Sequence, residues 1–252
     1  MLSKNEIKEI RALGQKKFRD ERNLFVVEGE KLVEEALRSG FEVVRHFRVE
    51  EIGEETMARI SQLTHPSPAL AVVRQPRPQL PQISPDELVL ALDGIRDPGN
   101  LGTILRIADW FGIRQVLASE DTVELYNPKV VQATMGAIFR VRVHYCDLAE
   151  MLRCPVKPGM TNEVKPGMRT EVIPVYGTFL EGDNIYETPL TKGGILVMGS
   201  EANGISTEVA ATVTQKLHIP SFPPDAHTSE SLNVAVATAI TCAEFRRRIQ
   251  RP

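Results

Sequence analysis

Cysteine is scarce in this chain of 252 residues: Cys146, Cys154 and Cys242 are an odd number and fall at no metal-ligand spacing. That excludes a disulfide-stapled scaffold and a zinc finger, and it fits small buried thiols in a reducing compartment. No stretch approaches the roughly 18 consecutive apolar residues of a membrane helix. The opening MLSKNEIKEIRALG carries charge throughout and has no apolar core of signal-peptide length, so a cytoplasmic protein without a membrane is expected. Excess charge of one sign is missing too. The net charge is −3, with 42% hydrophobic and 25% charged residues, which is ordinary globular composition and by itself argues for no nucleic-acid partner.

Several catalytic signatures are also missing. No Gly-rich loop ends in the Lys-Ser/Thr of a P-loop, and none has the dinucleotide GxGxxG spacing. A serine hydrolase would need a G-x-S-x-G elbow with a placed histidine; neither is present, and His218 and His227 form no base-orienter pair. The scattered acidic residues single out no glycosidase pair. No histidine or acidic cluster suggests a metal, so none is expected.

The informative stretch lies between Leu88 and Ala118, LVLALDGIRDPGNLGTILRIADWFGIRQVLA. An apolar run ends in a polar loop. Leu101, Ile104, Leu105, Ala108 and Phe111 then recur at helical steps until Gly112, and a second apolar run follows. In such a β-loop-α-β unit, ligands sit in the loop at the strand's carboxyl end. Here that loop holds Asp93, Arg96, Asp97 and Asn100, with Arg106 further along the helix. Arginine and asparagine suit phosphate and ribose better than an apolar substrate.

Residues 1–75 read as a small α/β module, with helices expected at Asn5–Leu13, Lys31–Ser39 and Glu54–Leu63. Strands are expected at Leu24–Gly29, Phe41–Val49 and Ala69–Val73. Glu28 and Gly29 mark a turn that either contacts substrate or merely caps a helix. Lys4, Lys8, Arg11, Lys16, Lys17, Arg19 and Arg22 crowd the first helices, and Arg246, Arg247, Arg248 and Arg251 close the chain. Either group can meet phosphate or simply face water. Four prolines within residues 76–86 form a stiff linker.

A mostly parallel α/β domain is expected over residues 87–252. Asn127-Pro128 starts a helix, and Ile138–Val143 alternates as a strand. VKPGM occurs at Val156–Met160 and again at Val164–Met168, suggesting consecutive turns and no assigned function. Further strands are expected at Val172–Tyr176, Ile195–Met198 and Lys216–Ile219, and helices from Ser206 and from Ser231, the latter with Ser231 as cap. Gly199-Ser200-Glu201-Ala202-Asn203-Gly204 permits close backbone approach to a ligand, while Glu201 either orients a ligand or caps a helix. Ser231 and Asn233 offer further polar groups at the last helix.

Together these loops resemble the SpoU (TrmH-type) RNA 2′-O-ribose methyltransferases of the SPOUT class. The likeness rests on DPGNLGTILRIADWFG with Asn100 and Arg106, on VMGSEANGIS with Gly199, Glu201 and Gly204, and on Ile219-Pro220 with SLNVAVA. NPKVVQATMGAIFRVRV adds a fourth block, and NLFVVEGEKLVEEAL resembles the family's small RNA-binding module. The resemblance implies a trefoil knot in residues 87–252, which no periodicity could reveal. It implies S-adenosylmethionine held by Thr178, Gly199, Ile219 and Leu232, and a homodimer formed through this domain. It further implies that Arg106 clamps a phosphate beside the target ribose, with Asn100, Glu201, Ser231 and Asn233 arranging the pocket. A guanidinium is a poor general base, so the clamp is the role its chemistry suits. Ribosomal RNA is the expected substrate, with transfer RNA or a non-catalytic RNA-binding role as alternatives. A nucleotide-binding enzyme acting on small molecules would instead ignore the basic amino-terminal module. In IPSFPPDAHTSESLN this chain departs from the family pattern: Ser221 replaces a usual methionine, a glycine is missing, and the loop is longer.

Overall fold

The computed structural model describes residues 2–81, 83–153, 173–223 and 231–249. Both VKPGM copies, His227 and residues 224–230 of the long loop lie outside them. The chain forms two compact units, Met1–Pro78 with Glu124–Arg140, and Gln79–Val123 with Val141–Pro252.

In the first unit α1 (Lys4–Ala12) begins at a reciprocal cap, where Ser3 Oγ accepts from the Glu6 N–H and Glu6 accepts from the Ser3 N–H. The hydrogen bond from the Ser3 N–H, and next the Arg45 guanidinium, lower the pKa of the Glu6 carboxyl to about 2. A helix not anticipated from periodicity, α2 (Lys16–Arg22), is closed by Asn23 in the left-handed region. There follow β1 (Leu24–Glu28), α3 (Glu30–Arg38), β2 (Val43–Arg48), α4 (Val49–Ile52), α5 (Glu54–Ile60) and β3 (Ala69–Arg74). Gly29, at φ 112°, makes the turn from β1 into α3. The three strands form an antiparallel sheet in the order β1-β3-β2. Ile7 and Ile10 of α1 and Met57 and Ile60 of α5 pack with Leu70 and Val72 of β3. Each fully buried side chain there contributes about 1.5–3 kcal/mol.

The second unit opens with β4 (Leu88–Asp93), α6 (Pro98–Trp110) and β5 (Gln115–Ala118). Residues 124–140 then leave to complete the first unit, carrying α7 (Pro128–Thr134), which Asn127 caps by accepting from the Lys129 N–H at 3.0 Å. The reason is packing: Tyr126 stacks on Phe25 with centroids 4.6 Å apart, and Phe139 meets Phe41 edge-on at 5.2 Å. A division of the chain at the proline linker alone therefore does not describe the contacts. The strand expected at Ile138–Val143 is also displaced. Ala137–Phe139 form one 3-10 turn after Gly136, and β6 begins only at Arg142, running to Tyr145.

The unit continues with α8 (Leu148–Arg153), β7 (Val175–Asn184), β8 (Gly194–Gly199), α9 (Thr207–Ala210), β9 (Gln215–His218) and α10 (Val234–Ile249). Six strands lie in the order β6-β5-β4-β8-β7-β9, and every pairing is parallel. The near-continuous apolar runs of β4 and β8 follow from burial on both faces. The order reverses between β4, which leads toward β5, and β8, which leads over β7 to β9. A crevice opens at such a switch point, outside the carboxyl ends of the strands.

The arginines at the end of α10 are occupied inside the unit. Arg246 Nε donates to Phe111 O at 2.7 Å, Arg247 and Arg248 embrace the buried Glu244, and Arg248 also donates to Ile185 O at 2.8 Å. Arg246 and Arg248 thereby dock the helix, while Arg247 pairs only within it, to Glu244.

Candidate functional site

The crevice is built from loops that β4 and β8 bring side by side, with Asp93 paired in register with Gly199. Asp97 caps α6 by accepting from the Asn100 N–H at 2.8 Å, and Pro98 takes the first helical position. The buried Asp93 carboxylate accepts from Ser206 N–H at 2.7 Å and so ties the β4 loop to the start of α9. Ser119 and Thr122 support the same loop by accepting from Gly94 N–H at 2.8 Å and Ile95 N–H at 3.2 Å. Arg96, read as a phosphate candidate, pairs with Asp121 at 3.1 Å. Sequence reasoning missed these supports because no local pattern signals them.

Beyond β8 the chain closes a tight loop, with Ser200 and Gly204 exchanging backbone hydrogen bonds at 2.9 and 3.0 Å. A Cβ on Gly199 would run into the main chain of Gly204 and Ile205, so only glycine permits this closure. The loop presents Glu201 to the Asn100 side-chain amide, which donates to Glu201 Oε1. From the other side Asn233 Nδ2 donates to Asn100 Oδ1 at 3.0 Å.

The orientation of this relay is determined by α10. Asn233 Oδ1 accepts from the N–H groups of Ala235 at 3.0 Å and Val236 at 3.3 Å, capping the helix. Its NH2 must then face Asn100, whose carbonyl oxygen accepts and whose own NH2 is left for Glu201. One polar chain thus joins all three loops. The cap is Asn233, not Ser231 as expected, because the helix begins at Val234. Ser231 is exposed and makes no hydrogen bond with another described residue.

Arg106 lies six residues beyond Asn100 on α6, about 9 Å along the axis. It is exposed and has no ion pair or hydrogen bond among the described residues; neither Asn100 nor Glu201 touches it. Its guanidinium is free to take an external anion. Glu28, by contrast, is no substrate contact. It is buried, accepts from Ser61 Oγ at 2.7 Å and from the Gln62 N–H, and burial raises its carboxyl pKa.

Thr178 and Ile219 are half-buried, and Leu232 is 46% exposed. Thr178 is the fourth residue of β7, just past its last pairing with β8 at Gly177, Gly199 ends β8, and Ile219 follows β9. Thr178 Oγ1 lies 3.5 Å from Val197 O, a long contact. Residues 178–184, 199–206, 218–223 and 231–233 carry Glu181, Asp183 and Glu201 but no lysine or arginine. With Leu180, Phe222 and Leu232 exposed beside them, these segments offer apolar walls and acidic groups to a cationic nucleoside.

A parallel α/β domain with its polar loops converging at the switch point defines an α/β protein whose ligand site lies outside the carboxyl ends of its strands. The SpoU rRNA Methylase family profile matches residues 87–243, and an MRM3-like substrate binding domain matches residues 4–63. The chain belongs to the SpoU rRNA Methylase family. It is 30% identical, over 97% of both chains, to the 23S rRNA (guanosine(2553)-2′-O)-methyltransferase RlmP of Bacillus subtilis. A TrmH-family structure from Porphyromonas gingivalis superimposes with a TM-score of 0.85 at 40% identity, covering 98% of this chain and 99% of its own. An AdoMet-bound rRNA methyltransferase from Sinorhizobium meliloti does so at 0.80 and 28% identity, covering 100% of this chain and 97% of its own.

Proposed function

We propose that this chain is an S-adenosylmethionine-dependent RNA 2′-O-ribose methyltransferase acting on ribosomal RNA. The observation that carries the reading is the relay Glu201–Asn100–Asn233, which binds the three family loops into one site and leaves Arg106 without a partner. S-adenosylmethionine, when bound, supplies an electrophilic methyl group on a positively charged sulfur. Thr178, Gly199, Ile219 and Leu232 would hold it. Arg106 would hold the phosphate next to the target nucleotide with its planar fork. Asn100 and Glu201 would position the ribose, with Ser231 and Asn233 completing the wall. Holding the reacting groups in line can supply much of the rate. Full-length similarity to the Bacillus enzyme favours ribosomal over transfer RNA.

The homodimer belongs to the same reading. Trp110 on α6 is 86% exposed and Val236 on α10 is 48% exposed, and the two helices pack side by side. An apolar surface on these helices fits a second copy better than water. Among the described residues no helix is long and apolar enough to cross a membrane. Free thiols at Cys146 and Cys242 fit the cytoplasm.

The test incubates the purified chain with labelled S-adenosylmethionine and total RNA lacking the modification, then maps labelled riboses. Label on one ribosomal nucleotide is expected. Label on transfer RNA would change the substrate, and no label on any RNA would remove the enzyme reading.

A conservative variant separates scaffold from chemistry. Asn233→Asp keeps the cap oxygen for α10, so the thermal midpoint should move by the equivalent of less than about 0.5 kcal/mol. It sets a carboxylate oxygen against Asn100 Oδ1, breaking the relay. Turnover is expected to fall about tenfold, the loss of one neutral amide–amide hydrogen bond together with the repulsion between two facing oxygens. Unchanged turnover would show that the relay serves stability alone.

A further inference from the structure

Several basic side chains around α1 and α2 are already paired within their unit, and Lys17 lies 6.0 Å from the centroid of the Phe18 ring. Arg19 is bound by Glu124, Lys16 by Asp20 and Arg45 by Glu6, while Arg22 lies 3.6 Å from Glu9. Lys4, Lys8, Arg11 and Arg59 differ. All four are exposed, and none uses its side chain in an ion pair or hydrogen bond with another described residue. On α1 the first three stand at successive three- and four-residue steps, so they share one face. With Arg59 of α5 they line an open groove of about 970 Å³ that has no carboxylate in its wall.

The rest of the lining is prepared for an anion as well. The carboxyl end of α1 would ordinarily turn negative carbonyls toward this groove. Gln62 covers them, its Nε2 donating to Ile10 O at 3.3 Å and Arg11 O at 3.2 Å. Gly14 leaves the room, since a Cβ there would strike the Gln62 amide. Phe18, half-buried, adds an aromatic ring to the same wall. Four cations around one cavity, none in an ion pair among the described residues and only Arg11 within electrostatic reach of a carboxylate, Glu28, repel each other, an arrangement that a polyanion relieves.

We propose that this groove binds a single-stranded stretch of the RNA substrate, with phosphates on Lys4, Lys8, Arg11 and Arg59 and a base against Phe18. The aromatic ring selects unpaired over duplex RNA, because only an unpaired base exposes its face for stacking. The proposal rests on the ribose methyltransferase reading for the identity of its polymer.

The experiment uses the full chain with Lys8→Gln and Arg59→Gln combined. A charge-matched control combines Lys16→Gln and Arg38→Gln, which remove cations already paired with Asp20 and Glu34. Binding of a labelled oligouridylate is followed across salt concentration, alongside KM and kcat for the methylated RNA. The groove variant should make the slope of log affinity against log salt shallower by about 1.4 and raise KM about tenfold at physiological salt, with kcat within about twofold. The control should leave the slope unchanged, and Phe18→Leu should weaken oligouridylate about fivefold without altering it. Equal behaviour of the two double variants, or a duplex that competes as well as the single strand, would overturn the groove assignment. A parent chain that binds oligouridylate in this way but methylates no RNA would retain the groove and remove the enzyme reading.

Discussion

Replacing Arg106 by alanine is expected to lower methyl transfer by about 10²–10³-fold, the range for removing one preorganised group that meets charge in the transition state. Affinity for S-adenosylmethionine, measured by calorimetry, should stay within about twofold, because the residues assigned to the donor lie on other loops. The folded state should not change. Arg106 is exposed and its side chain has no ion pair or hydrogen bond with a described residue, so its loss breaks no polar contact that holds α6. Arg106→Lys should recover only part of the rate, since an ammonium offers a point charge where a guanidinium offers a planar fork. Full activity in the alanine variant would remove the phosphate clamp from the mechanism.

The largest stability effect is expected at another arginine, one the chain's basic amino-terminal cluster conceals. The Arg19 side chain is 3% exposed; its Nε donates to Glu124 Oε1 at 3.1 Å, Nη2 pairs with Glu124 Oε2, and Nη1 donates to Leu13 O at 2.8 Å. Arg19→Met should destabilise the first unit by about 3–5 kcal/mol, because it strands a part-buried carboxylate and a carbonyl. By scanning calorimetry the transition of that unit should fall by about 15–25 °C. Adding Glu124→Leu should restore most of it, as two apolar groups need no partner. The salt dependence of RNA binding should stay as in the parent. A shift below about 2 °C would mean that the pair adds nothing to folding.

The two arginines show what a local reading of the chain can reach and where it stops. Arg106 was legible because it stands in a motif, DPGN followed by an amphipathic helix, whose capping and periodicity operate within a few residues. Arg19 sat among seven cations of similar appearance, and nothing near it in the chain points to Glu124, 105 residues on. The same distinction separates Arg246, Arg247 and Arg248, spent on Glu244 and backbone carbonyls, from the free cations of α1. Charge can be counted in a sequence, but availability depends on what folding places beside it. The shift of the strand expected at Ile138–Val143 has a similar cause. Its alternation is real, yet Phe139 is drawn to Phe41 and pairing with β5 starts only at Arg142.

The sequence alone determined the parallel α/β class, the cap at Asn127 and the close backbone approach at Gly199, and it singled out the loops that the relay joins. Each follows from hydrogen bonds, backbone limits or apolar periods that act over a few neighbours. Only the tertiary structure decided that Glu201 meets Asn100 across 101 residues and that Asn233 meets it across 133. It also decided that Asn233 and not Ser231 caps α10, and that residues 124–140 belong with the amino-terminal unit. These outcomes depend on which strands become neighbours and which aromatic faces find one another, and such long-range choices leave no local mark on the chain.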